Sequence, residues 1–111
     1  MTEQQLESLL KQTGYPVAYN EFAKEPRPPY IAYIIPNQVT VFADNAPQVT
    51  VATVRIELYT AVHDPSACKK LEQLLTAGEI LFDKAEFYLR EERLFMTVYE
   101  SEVLLNEYCE P

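Results

Sequence analysis

The amino-acid sequence predicts an α+β fold: a mostly antiparallel β-sheet with two α-helices packed on one face. Two segments, at about residues 3–12 and 64–78, repeat apolar residues at helical spacing. The stretches between and after them alternate apolar and polar residues, as strands with one buried face do. Each helix has a single apolar stripe, and both stripes are buried if the helices share one face of the sheet. With 111 residues, 48% of them hydrophobic, the chain suits one domain over residues 1–111 with a real core.

The first helix is expected over about residues 3–12. Thr2 and Gln5 have the spacing of a capping box, in which each side chain meets the backbone amide of the other residue. Gly14 suits the left-handed position past a helix end, and Pro16 prevents continuation. The apolar stripe of this helix is formed by Leu6, Leu9 and Leu10.

The next segments predict a short extended piece at residues 17–19, then a proline-rich loop, then a strand. Prolines in residues 24–29 remove backbone donors, so we expect a loop in polyproline conformation. That loop is either a stiff connector or a recognition motif. Residues 30–35 are nearly all apolar and predict a strand that closes at Pro36 and Asn37.

The middle of the chain contains the clearest strand pattern. Residues 39–42 predict either another strand or one arm of a long hairpin, and residues 44–47 predict a turn. From residue 49 to residue 60 apolar and polar side chains alternate. The side chains expected toward the core are Val54, Ile56 and Leu58, with Arg55, Glu57 and Tyr59 on the opposite side.

The second helix is expected to begin with Asp64 as the N-cap and Pro65 at its first position, and to end or kink at Gly78. Two further strands, at about residues 84–90 and 94–104, are separated by three charged residues and should form a hairpin. The buried stripe of the helix is Ala67, Cys68, Leu71, Leu74 and Leu75, and the first of the two strands places Ala85, Phe87 and Leu89 on one face.

The charge balance argues against nucleic-acid binding. Nine basic residues face seventeen acidic ones, a net charge of −8, whereas a phosphate-binding surface needs clustered Lys and Arg. The acidic excess belongs mostly to residues 79–111. No apolar run is long enough to span a membrane. The first residues lack the basic and apolar regions of a signal peptide, so we expect the chain to stay in the cytosol where it is made.

No pattern of residues predicts a catalytic, cofactor or metal site, so we expect the protein not to be an enzyme. Gly14 and Gly78 do not lie in a phosphate-binding loop. No spacing implies a nucleophile or an orienting acid for His63, so an exposed loop histidine is favoured over a general base. Cys68 and Cys109 are expected to be free thiols rather than a metal pair or a nucleophile, with Cys68 a small core residue.

Acidic and aromatic side chains of the strands are the remaining candidates for function. Glu100 and Glu102 alternate along one strand, which favours a solvated face over a cation site. Tyrosines are enriched in protein interfaces, but they can equally cover the second face of a sheet, and both alternatives stay open. The open edges of a short sheet can also serve a ring-forming protein. The clustered tyrosines are Tyr30, Tyr33, Tyr59, Tyr88 and Tyr99.

Five short segments carry a resemblance to a known family. They are, in order, residues 14–19, residues 28–30, residues 43–45, residues 54–60 and the pair at 64–65. In these segments the chain is similar to the tail terminator, or tail-completion, proteins of long-tailed phages and prophages of Gram-positive hosts. The resemblance extends from about residue 10 to residue 103. Its motifs are structural and include no catalytic signature.

The resemblance implies a structural protein of the virion tail, made in the host cytoplasm and acting without a cofactor. Copies of the chain would form a ring, usually a hexamer, that caps the head-proximal end of the tail. The ring would contact the tail tube protein and the head–tail connector protein. DNA would pass through it without sequence-specific contact. We hypothesise separately that Glu100 and Glu102 face the lumen, since a lumen of like charge does not hold the DNA back. The candidate subunit-interface residues are Tyr33, Val41, Phe42, Asp44, Asn45, Tyr59 and Tyr99.

Several alternatives remain at this point. Residues 38–50 are either an interface element or an ordinary connection. Another head–tail neck protein would share the size and fold class of a tail terminator. A small acidic, non-catalytic adaptor would dock its acidic face on a basic partner. A small metal-dependent hydrolase using the carboxylates is the least favoured.

Overall fold

The computed structural model describes residues 1–105, with the side chains of all of these except residues 43 and 46–48. The elements in chain order are α1 (Glu3–Lys11), β1 (Val17–Tyr19), β2 (Tyr30–Ala43), β3 (Ala46–Thr60), α2 (Pro65–Ala77), β4 (Asp83–Leu89) and β5 (Leu94–Leu105). The strands form one sheet in the order β1-β2-β3-β5-β4. Of the described strand pairs, β1–β2 is parallel and the others are antiparallel, which confirms the predicted α+β class.

The first helix forms where the sequence predicts it because its caps form. The Gln5 amide donates to Thr2 Oγ1 over 3.1 Å, and the Thr2 amide donates to Gln5 Oε1 over 2.8 Å. Both halves of the capping box are therefore present. Gly14 follows the helix with φ of +84°, a conformation that side chains rarely adopt. Leu6 and Leu10 of α1 are fully buried between the helix and the sheet.

Strand β2 continues through Pro36 instead of closing there, so the expected strand end was wrong. Ile34 pairs with Arg55 and Asn37 pairs with Thr53, so two residues of β2 lie opposite one residue of β3. This is a β-bulge, which bends a strand and leaves its extra residue outside the hydrogen-bond ladder. A proline, which has no N–H to donate, fits such a position without ending the strand.

Strands β2 and β3 form one long hairpin, the second of the two alternatives that the sequence left open. Ala43 pairs with Ala46, leaving a loop of only Asp44 and Asn45, with φ of +52° and +62°. Asp and Asn tolerate left-handed backbone better than most residues, and two of them in succession give a turn that matches strand twist. The turn is therefore two residues shorter than predicted.

Helix α2 also begins and ends as predicted. The Ala67 amide donates to Asp64 Oδ1 over 3.1 Å, Pro65 occupies the first position, and Gly78 is the C-cap. The predicted stripe is buried except for Leu74, which is only partly buried.

The β4–β5 turn and the loop between β1 and β2 are the two connections still to be compared with the prediction. The predicted β4–β5 hairpin is present, with Leu89 paired to Leu94 across a four-residue loop. The proline-rich segment between β1 and β2 is a loop, as expected. Its Pro28–Pro29 peptide bond is cis.

Both helices pack on one face of the sheet, as predicted, and two buried tyrosines connect them to it. Tyr33 of β2 donates to Glu7 of α1 over 2.9 Å, and Tyr99 of β5 donates to Glu72 of α2 over 2.8 Å. The core lies between this sheet face and the helices. Its fully buried members include Val54, Ile56, Leu58, Leu71 and Leu75.

The long hairpin gives the molecule an elongated shape, with extents of 51 × 28 × 22 Å. Strand β3 pairs with β5 only as far as Thr50, opposite Leu105. Beyond that pair, among the described residues, β2 and β3 continue with only each other as partners to the turn.

Candidate interaction surface

The sheet face opposite the helices, called the open face from here on, carries the candidate residues Val41, Tyr59, Glu100 and Glu102. Side chains alternate between faces along each strand, so the strand registers assign its members. The loop at residues 20–29 covers one end, where Phe22 packs its ring against Tyr30 at 5.4 Å between centroids. The open face includes Tyr30, Ala32, Ile34, Val39 and Val41 of β2, Val51, Thr53, Arg55, Glu57 and Tyr59 of β3, Ala85 and Phe87 of β4, and Met96, Val98, Glu100, Glu102 and Leu104 of β5.

A charged group occupies the middle of the open face. Arg55 Nε donates to Glu57 Oε2 over 2.9 Å, and the Tyr59 hydroxyl donates to Glu57 Oε1 over 2.8 Å. Glu100 and Glu102 are exposed on the same face, which confirms the solvated face predicted for them. One guanidinium faces three carboxylates, so the middle of the open face is negatively charged.

An exposed apolar area lies on the open face toward the hairpin turn. Val39 and Leu104 flank Val51 in the strand register, and Val41 follows along β2. The exposed fractions of Val39, Val41 and Leu104 are 54%, 49% and 59%. These four residues are called the distal patch, and Phe42, 65% exposed, lies next to Val41. Contiguous exposed apolar surface of this kind marks contact sites.

A concave feature, called the tyrosine pocket, lies at the other end of the open face. It is a cavity of about 220 Å³ between the 20–29 loop and the β4–β5 turn. The rings of Tyr30 and Tyr59 stack in it with centroids 4.9 Å apart and planes 18° apart. Three carboxylates also line the pocket, from Glu21, Glu25 and Glu92.

The pKa values of the pocket tyrosines show how these groups interact. Burial raises the pKa of Tyr30, and the neighbouring charges of Glu25 and Glu92 raise it further. The Tyr30 hydroxyl also donates to Glu25 Oε2 over 3.4 Å. Burial and the hydrogen bond to Glu57 raise the pKa of Tyr59 well above its usual range. Both phenols are therefore neutral at physiological pH, and the negative charge of the pocket belongs to its carboxylates.

The residues predicted for a subunit interface fall into two groups. Tyr33 and Tyr99 are 2% and 0% exposed, because each lies under a helix and donates to a glutamate there. They have no surface left to contact a neighbouring subunit, so the proposed interface does not include them. The other five lie at the outer end of the hairpin or on the open face: Val41, Phe42, Asp44, Asn45 and Tyr59.

The structure pairs His63 with Glu86, a contact that the sequence analysis missed. His63 Nδ1 lies 2.9 Å from Glu86 Oε2, although the two residues are 23 positions apart. No local spacing signals this pair, since the loop before α2 and the edge strand β4 meet only in the folded sheet. The imidazole is 65% exposed, and its ring packs near the ring of Phe95, with the two centroids 6.2 Å apart. Within residues 1–105, no hydroxyl or thiol is hydrogen-bonded to the pair to serve as a nucleophile.

The cysteines and carboxylates do not assemble into a metal centre in the described part of the chain. Cys68 is a buried free thiol with its sulfur 3.6 Å from Thr97 Oγ1, and it is a core residue as predicted. Cys109 lies outside the described residues. Within residues 1–105 no group of three or more His, Cys, Asp or Glu side chains is placed to hold a metal ion.

Comparison of the chain with family models and with curated proteins found no match. Neither described helix is long and apolar enough to cross a membrane. The features with clear chemistry are therefore the two ends of the open face. One end is apolar and lies on a projecting hairpin, and the other is an aromatic pocket lined by carboxylates.

Proposed function

We propose that the protein is a structural tail terminator of a long-tailed phage or prophage. Its copies would associate into a ring of about six subunits at the head-proximal end of the tail. The ring would join the tail tube protein to the head–tail connector protein. The proposal has two supports: the sequence resemblance, and a fold whose long hairpin carries exposed apolar surface.

The hairpin is the observation that carries this proposal. Among the described residues its outer part has only its own two strands as partners, because β1 pairs with β2 only at residues 31–33 and β5 pairs with β3 only as far as Thr50. Within residues 1–105 the outer edge of β2 therefore presents unpaired backbone groups, beside a distal patch in which Val39, Val41 and Leu104 are about half exposed. Monomeric proteins usually protect such an edge with charged side chains or proline, whereas a subunit of an assembly can pair the edge with a neighbouring subunit or bury it there. Ring formation would bury the patch and the edge in one contact.

The oligomeric mass tests the proposal directly. We expect size exclusion with light scattering to show a species of about six subunits that gains population as protein concentration rises. If the isolated chain stays monomeric, it should form the ring on mixing with the tail tube and connector proteins encoded in the same genome. A monomer that neither associates nor binds either protein would contradict the proposal. Such a result would favour the acidic adaptor.

Substitutions on the hairpin test whether its apolar side chains form the subunit contact, because these exposed residues should affect association but not the stability of the fold. Phe42→Ser and Val41→Ser remove exposed apolar surface and should abolish association while leaving the thermal unfolding midpoint nearly unchanged. Leu81→Ser and Val62→Ser are matched controls, because these residues are 88% and 62% exposed and lie outside the open face. Equal loss of association in both pairs of variants would show that the hairpin is not the contact.

The acidic residues give a second test within the assembled particle. The open face has Glu100 and Glu102 exposed, and in the proposed ring they line the passage for DNA. A cryo-EM map of the ring on a tail that places both glutamates on its outer surface would overturn this orientation, while leaving the ring itself intact.

A further inference from the structure

The tyrosine pocket has an unbalanced charge. The carboxylates of Glu21, Glu25 and Glu92 line it, and no Lys, Arg or His is among its lining residues. The four ion pairs found within residues 1–105 use other carboxylates. Within residues 1–105, none of the three pocket carboxylates therefore forms an ion pair with a Lys, Arg or His side chain.

The rest of the pocket is aromatic and aliphatic. Tyr30 and Tyr59 stack in it, Phe22 meets Tyr30 edge to face, and Leu89 and Leu94 complete its apolar lining. An electron-rich aromatic ring attracts a cation, most strongly where water is partly excluded. A ligand for this pocket therefore needs both an apolar part and a positive charge.

The size of the pocket limits that ligand further. A cavity of about 220 Å³ is smaller than the usual range for sites that take cofactors and drug-sized molecules. It has room for one long side chain. Arginine combines an aliphatic stem with a weakly hydrated, planar guanidinium that stacks on aromatic rings and binds carboxylates through two hydrogen bonds.

We propose that the tyrosine pocket binds an arginine side chain of a partner protein. The stem lies against Leu89 and Leu94, and the guanidinium lies among the aromatic rings and the carboxylates of Glu25 and Glu92. This inference does not depend on ring formation, because the pocket lies at the opposite end of the open face from the distal patch. A partner protein is favoured over free arginine because the carboxylate of the free amino acid would be repelled by three glutamates.

Titration followed by NMR tests the proposal on the full-length protein. The probe is N-acetyl-arginine amide, which resembles an arginine within a chain, added to millimolar concentration. We expect saturable shifts of the amide signals of Ala32, Leu89 and Leu94, which line the pocket. N-acetyl-norleucine amide has a similar stem without charge, and it should bind at least about fivefold more weakly. Free L-arginine should also bind more weakly than the capped form.

Paired charge variants then locate the binding. Glu25→Gln with Glu92→Gln should weaken N-acetyl-arginine amide about fivefold, the effect of removing two exposed ionic contacts. Glu79→Gln with Glu102→Gln removes the same net charge outside the pocket and should change the affinity less than about twofold. Equal weakening in both double variants, equal binding of the norleucine probe, or absence of saturable shifts would overturn the proposal. Tighter binding of free arginine would reassign the pocket to a small metabolite.

Discussion

At the scale of single residues, two tyrosine–glutamate bonds hold the helices on the sheet. Tyr33 reaches Glu7 and Tyr99 reaches Glu72, and a lysine also pairs with each glutamate, at 3.1 Å for Lys11 and 2.7 Å for Lys84. The rings are buried while the carboxylates are partly exposed, so each hydroxyl meets its acceptor at the edge of the core. Hydrogen bonds to a charged acceptor are stronger than neutral ones.

Removing one of these hydroxyls should weaken the fold measurably. Tyr99→Phe keeps the ring in the core but deletes the donor to Glu72, and we expect it to lower the free energy of unfolding by about 1–2 kcal/mol. Urea unfolding at pH 7 measures this change. Tyr88→Phe is the control, because Tyr88 is 50% exposed and should change stability by less than about 0.5 kcal/mol. Similar losses in both variants would show that the bond to Glu72 contributes nothing.

The same glutamates predict an acid-dependent loss of stability. The hydrogen bonds from Tyr33 and Lys11 lower the pKa of Glu7. Burial opposes ionisation of Glu72, but its hydrogen bonds from Lys84 and Tyr99 outweigh burial and lower its pKa as well. Both carboxylates have an ordinary value of 4.5 when unfolded. Their stabilisation is thus fully present above that pH and is lost as the pH falls through the lowered folded values.

Glu72→Gln isolates this dependence. Urea unfolding between pH 6 and pH 3 should give a flatter fall in stability for Glu72→Gln than for the wild-type protein. Glu102→Gln removes the same charge from an exposed strand position and should keep most of the wild-type slope. An unchanged slope in Glu72→Gln would mean that this carboxylate is not linked to folding.

At the scale of elements, the helix caps determine where the two helices begin. Asp64 accepts the Ala67 amide at the start of α2, and Thr2 with Gln5 does the same for α1. Asp64→Ala leaves that amide without its acceptor and should lower the free energy of unfolding by about 1 kcal/mol. Asp64→Ser keeps a capping oxygen and should recover most of the loss in the same urea measurement. Equal destabilisation by Ala and Ser would point to a role of Asp64 other than capping.

The elements also show what the sequence could and could not predict. Capping residues and alternation act over a few positions, so both helices and the core face of β3 were predicted correctly. The continuation of β2 past Pro36 was not, because a bulge is defined by two strands together and a proline signals only the missing donor. The tyrosine pocket joins the 20–29 loop, β3 and the β4–β5 turn, and residues so distant in sequence leave no common spacing pattern.

The burial of Tyr33 and Tyr99 shows a second limit of the sequence. In β3 the alternation placed Tyr59 opposite the core residues, but the sequences of β2 and β5 did not show that Tyr33 and Tyr99 lie under the helices. Tyr59 and Tyr99 both lie on central strands of the sheet, yet Tyr59 lies on the open face and Tyr99 lies under α2. The strand register places Tyr99 on the core side, since it pairs with Ile56, which faces the core.

At the scale of the whole molecule, charge and apolar surface act against each other in self-association. Each copy has a net charge of −8, so two copies repel at low ionic strength. The proposed contact, the distal patch, is apolar, and burial of apolar surface does not weaken when salt is added. Glu102 lies on the open face beside Leu104 of that patch, so part of the repulsion acts close to the contact.

Association should therefore become stronger as salt is added. Between 20 and 500 mM NaCl the Debye length falls from roughly 20 Å to about 4 Å, which screens repulsion between subunits. Light scattering at fixed protein concentration should show the oligomer fraction rising across this range. Glu100→Gln with Glu102→Gln should associate more strongly than wild type at 20 mM and respond less to salt. Dissociation on adding salt would instead mean that ion pairs hold the subunits together, which would move the contact away from the distal patch.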